Sequence, residues 1–154
     1  MKNINKNLQI EQLDRKIKAF NKLESITRLS DGWVHSARTA LGMSLSQLGG
    51  KLGITAQSVK EIEQREKNGS ISLKNLKEVA RALNLKLVYG FSAPEKSLSK
   101  IIKNQAYHVA ENIVARTNRT MQLEKQANSS ARIKRAIKDR ASEIIANQPR
   151  HLWD

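Results

Sequence analysis

The chain has 154 residues, enough for one domain with a core plus flanking helices. Aromatic residues make up 4% against 39% hydrophobic, so aliphatic side chains must build the core; 7 glycines and 2 prolines fit helices joined by short turns. Without cysteine, disulfides, thiolate metal sites and cysteine nucleophiles are excluded, while 28 Lys+Arg against 14 Asp+Glu give a formal +14 that attracts polyanions.

The excess is spread along the chain, at +3 over residues 1–31, +5 over 32–92 and +6 over 93–154, so no basic tail stands out. No apolar run is long enough to cross a bilayer, and "MKNINKNLQIEQL" lacks the apolar centre of a signal peptide. The expectation is a cytoplasmic protein without a membrane partner.

In chain order, residues 4–24 place Ile4, Leu8, Leu13, Ile17, Phe20 and Leu23 at helical spacing, and "LSDGW" (29–33) breaks the pattern. Four short helices are predicted next. They cover 33–41, ended by Gly42; 44–52, ended by Gly53; a third from Thr55 to "KNG" (67–69); and a fourth over 72–83, with Leu73, Leu76, Val79, Ala80 and Leu83 as its stripe. "LKLVYGF" (85–91) alternates with period two and predicts a strand, one that needs a pairing partner from elsewhere. After Pro94, residues 97–126 and 130–147 carry two further helical stripes, and "NSS" (128–130) supplies capping chemistry between them.

"SLSQLGGKL" (44–52) directs Leu45, Leu48 and Leu52 inward, with Gly49 and Gly50 leaving room for a close neighbour. Gly53 reverses the chain, Ile54 plugs the corner, and Thr55 caps a helix that buries Val59 and Ile62. This pattern reads as a helix-turn-helix whose second helix projects its start toward a DNA major groove. There Gln57 suits adenine, Ala56 a thymine methyl and Glu61 cytosine. Thr55, Ser58 and Lys60 suit phosphates or nearby bases, and Gln64 completes the outward face. An ordinary solvated helix would carry similar residues; the run Leu-x-x-x-Leu-Gly-Ile-Thr-x-x-Ser-Val (48–59), with flanking helices in order, favours DNA.

"ARTALGMSLSQLGGKLGITAQSVKEIE" (37–63) resembles the Xre/Cro-type, lambda-repressor-like helix-turn-helix domain. That resemblance implies a structural pair between Arg38 and Glu63. The chain departs at Leu45, where many members have a phosphate-binding Gln, and at "QREK" (64–67), which adds about one turn before "NG". Over residues 10–105, "LDRKIKAF", "GWVHSARTALGMSL", "NGSISLKNL" and "LVYGFSAP" are similar to the group called mobile mystery protein A. This implies an antitoxin-like regulator of a Fic-type protein that transfers AMP to hydroxyl groups.

The chain carries no Fic signature, no Gly-rich phosphate loop and no nucleophile elbow, and His35, His108 and His151 lack metal-ligand spacing. No enzyme activity, cofactor or metal is expected. Thr120-Met-Gln-Leu-Glu124 fits the first five positions of the (Ser/Thr)-x-x-x-Glu-(Gly/Asn) motif that restrains some Fic enzymes, with Lys125 in place of the last; a solvated helix face explains it more simply.

The resulting expectation is an all-α chain with one short strand. It has an N-terminal helix (1–31), an Xre-type domain (32–84), a strand (85–92) and a C-terminal helical region (93–154). As a homodimer it would bind double-stranded DNA at a palindromic operator and act as autorepressor and antitoxin beside a Fic-type toxin. The alternative is a protein that chiefly binds and restrains the Fic enzyme, with DNA binding secondary.

Overall fold

The computed structural model describes residues 2–27, 29–123 and 129–154. It is helical, with α1 (Lys2–Leu23), α2 (Trp33–Ala40), α3 (Leu45–Leu52), α4 (Ala56–Lys67), α5 (Leu73–Ala82), α6 (Leu98–Leu123), α7 (Ser130–Asn147) and a terminal 3-10 turn (Arg150–Trp153). The chain forms two compact units, Lys22–Gly90 and a discontinuous one made of Met1–Asn21 with Phe91–Asp154.

In the Lys22–Gly90 unit, α2 to α5 converge on Val34, Leu48, Val59, Val79 and Leu83, with Ala37, Leu45, Leu52, Ile62 and Leu76 packed around them. Side-chain oxygens of Ser44, Thr55 and Ser72 accept the third-position amides of α3, α4 and α5. All four helices end on the same two-bond closure, illustrated by Met43 N donating to Arg38 O and Gly42 N to Thr39 O. The residue in the left-handed conformation is Gly42, Gly53, Gly69 or Asn84. Leu73, expected on the apolar stripe of α5, is exposed at its first turn.

The predicted strand over 85–92 is absent. Leu85 N donates to Ala80 O at 2.7 Å and finishes α5, and residues 86–93 run without a ladder partner among the described residues. A strand exists only through its pairing, and none is offered among the described residues. Val88, Tyr89 and Phe91 are consequently 70, 69 and 83% exposed.

In the discontinuous unit, α6 and α7 pack through Ala106, Ala110 and Ala141, small enough to bring the helices close, with Ile144 beside them and Leu152 of the 3-10 turn sealing one end. Asp14 of α1 accepts from Leu98 N (2.7 Å), Ser99 N (3.3 Å) and Ser99 Oγ (2.8 Å), satisfying the first turn of α6. Asn21 accepts from Ala93 N and donates to Lys96 O. Of the α1 stripe only Ile17 is buried; Ile4, Leu8, Leu13 and Leu23 are exposed.

Candidate nucleic-acid interface

The α3–α4 corner is built from local rules. Ser44 and Gln47 form a reciprocal capping box, with Gln47 N donating to Ser44 Oγ (3.1 Å) and Ser44 N to Gln47 Oε1 (2.7 Å). Gly53 adopts φ +69, and Ile54 N closes α3 on Gly49 O. Gly49 is buried where a Cβ would stand 2.7 Å from Ile54 O, so the turn folds directly over it. Gly50, expected to share that role, faces open space.

Thr55 then starts α4. Its Oγ1 accepts from Ser58 N at 3.1 Å and lies 2.9 Å from Ser58 Oγ. One hydroxyl proton serves that second contact; the other remains for an outside acceptor. Gln57, Lys60, Glu61 and Gln64 are exposed on one face, with Ala56 and Ser58 half-buried beside them. Val59, fully buried, fixes the opposite face. Arg65, which the sequence reading left out, is exposed one turn beyond Glu61, its Nη2 3.9 Å from the Glu61 carboxylate.

Beneath the exposed face of α4, Arg38 of α2 meets Glu63. Arg38 Nε donates to Glu63 Oε1 at 2.6 Å, Nη2 to Oε2 at 3.4 Å, and Nη1 to Met43 O at 2.8 Å. Arg38 is 8% exposed. His35, noted in the sequence only for lacking metal-ligand spacing, places Nδ1 3.0 Å from Glu63 Oε2. Burial pushes the Glu63 carboxyl up, but the hydrogen bonds from Arg38 and His35, and their charges, outweigh it, leaving the group below its ordinary value.

The extra turn supplied by "QREK" has a structural task that sequence spacing did not reveal. Glu66 Oε1 accepts from Trp33 N and Oε2 from Val34 N, both at 2.8 Å. It therefore caps α2 from across the unit, where Gly32 offers no side chain. The only sequence signal was an acidic residue beyond the usual end of the helix.

Thr120, in the candidate restraining motif, donates back to Arg116 O on α6, and Glu124 lies outside the described residues. Among the described residues no His, Asp or Glu side chains are grouped as metal ligands, and no described helix is long and apolar enough to cross a membrane. Neither the comparison with curated proteins nor that with solved structures found a match. Residues 34–89, which hold α2 to α5 and the turn folded over Gly49, match the family model described as Helix-turn-helix, so this segment is similar to the modules of DNA-binding transcription regulators.

Proposed function

We propose that the protein is a sequence-specific transcription regulator in which α4 lies in the major groove of a palindromic operator. The observation that carries this reading is the division of α4. Gln57, Lys60, Glu61 and Gln64 face solvent together, while Val59 and the Arg38–Glu63 pair anchor the other face. Gln57 and Glu61 match the base-edge chemistry of adenine and cytosine; Ala56 fits a thymine methyl; Thr55, Ser58 and Lys60 suit phosphate. One such helix covers a short half-site, so two copies of the chain act together.

Replacing Gln57 or Glu61 by Ala changes the order of preference among operator variants. Lys60→Ala instead weakens all duplexes alike and lowers the salt slope by about 1. Footprinting and titrations at several salt concentrations separate these outcomes. Footprints and affinities indifferent to all three substitutions would remove α4 from the groove.

The finer part of the proposal is that this regulator is the autorepressor and antitoxin of a Fic-type partner. Its support is the resemblance of residues 10–105 to the mobile mystery protein A group. Co-expression with the product of the neighbouring gene, followed by pull-down and a gel shift on the shared promoter, tests it. A Fic protein that never co-purifies, and whose toxicity the chain leaves untouched, ends that part alone. Within it, Thr120 and Glu124 are the proposed inhibitory pair, and Glu124→Ala must then relieve the inhibition.

A further inference from the structure

We propose that the outer end of the α6–α7 hairpin is a second contact for duplex DNA, one that grips the phosphate backbone without reading sequence. The starting observation is how charge is distributed within residues 93–154. Residues 93–111 carry a net +1 and residues 139–154 a net −1, whereas residues 112–138 carry seven cationic residues and one anionic, a net +6. Six of the seven cations fall in two separate groups along the sequence, Arg116 and Arg119 in one, Arg132, Lys134, Arg135 and Lys138 in the other; the seventh, Lys125, lies outside the described residues.

The fold brings them together. α6 ends at Leu123 and α7 begins at Ser130, so the helices return on each other. Ala110 and Ile113 of α6 pack in one cluster with Ile137 and Ala141 of α7. The next turns outward, 116–119 on one helix and 132–135 on the other, are therefore neighbours. All six cationic residues are exposed, and none takes part in an ion pair among the described residues. One turn further in, Arg140 is neutralised by Glu143 at 2.6 Å, and the excess ends there.

Unscreened cations of one sign, desolvated by nothing and paired with nothing, are complementary to a polyanion. Arg132 to Lys138 spans about 9 Å along the α7 axis, the reach of two or three backbone phosphates. Stacking platforms for unpaired bases are missing, because none of the six aromatic residues falls between 108 and 152. Insertion into lipid is disfavoured as well, since Ile137, Ala141 and Ile144 are already packed against α6. Duplex DNA is the polyanion best matched, a choice that rests on the reading of α4 above.

The test uses the full chain, titrated by fluorescence anisotropy against its promoter duplex and a scrambled duplex across a salt series. Arg132→Ala/Arg135→Ala/Lys138→Ala lowers the slope of log affinity against log salt by about 2 to 3 on both duplexes, and the ratio between them stays fixed. The Arg132→Lys/Arg135→Lys/Lys138→Lys variant retains most of the slope, and circular dichroism verifies the helix content of both. An unchanged slope in the alanine variant overturns the proposal. So does tighter, triple-alanine-sensitive binding to single-stranded RNA or to anionic phospholipid vesicles than to duplex. If the wild type does not prefer the promoter to the scrambled duplex, the reading of α4 fails, while the salt slope still decides the hairpin.

Discussion

Arg38 and Glu63 show how one buried pair joins α4 to its support in α2. Removing either partner leaves the other as a lone charge in a nearly dry site, which costs about 3 kcal/mol or more. Urea unfolding of Arg38→Ala is expected to register that loss. Because the Glu63 carboxyl is held below its ordinary value, it contributes stability above pH 4.5 that disappears as pH falls through the lowered value. Glu63→Gln is therefore less stable than wild type at neutral pH, and the gap between the two narrows below pH 4.5, as unfolding at a series of pH values will reveal. A constant gap would mean the carboxylate charge is not what binds α2 to α4. The pair was accessible to sequence reading only through the family resemblance; His35 was not, since its partner is 28 positions away and nothing local marks it.

Among the elements, those governed by local chemistry were legible and those completed at a distance were not. Capping at Ser44, Thr55 and Ser72 and the reversal at Gly53 follow from residues within one turn. The segment 85–91 has the alternation of a strand, but pairing is a property of two segments, and composition cannot announce the missing one. The caps that Glu66 gives α2 and Asp14 gives α6 were likewise invisible, as each joins residues 32 or more positions apart. Adjacent glycines in α3 supply a sharp test. Gly49→Ala forces a Cβ against Ile54 O and costs roughly 1–3 kcal/mol. Gly50→Ala fills open space on an exposed helix and stabilises by about 0.5–1 kcal/mol. Thermal melts of the two single variants should move in opposite directions; a shared direction would refute the packing described at the corner. Glu66→Ala strips the α2 cap and lowers stability by about 1 kcal/mol in the same assay.

For the whole molecule, the exposed Val88, Tyr89 and Phe91 offer a β-favouring segment that a second copy could pair with. If the operator-binding form is a dimer joined here, Val88→Lys with Phe91→Lys yields a monomer in sedimentation with unaltered helix content. A dimer of undiminished mass would locate the joint elsewhere. The discontinuity of the unit made from Met1–Asn21 and Phe91–Asp154 has a further consequence during translation. α1 is made well before the α6 residues that complete its unit, whereas the Lys22–Gly90 unit is contiguous and draws on no later segment. A released chain ending at residue 90 would thus keep every residue of the contiguous unit while depriving Asn21 and Asp14 of α1 of the partners that Ala93 and Leu98 supply.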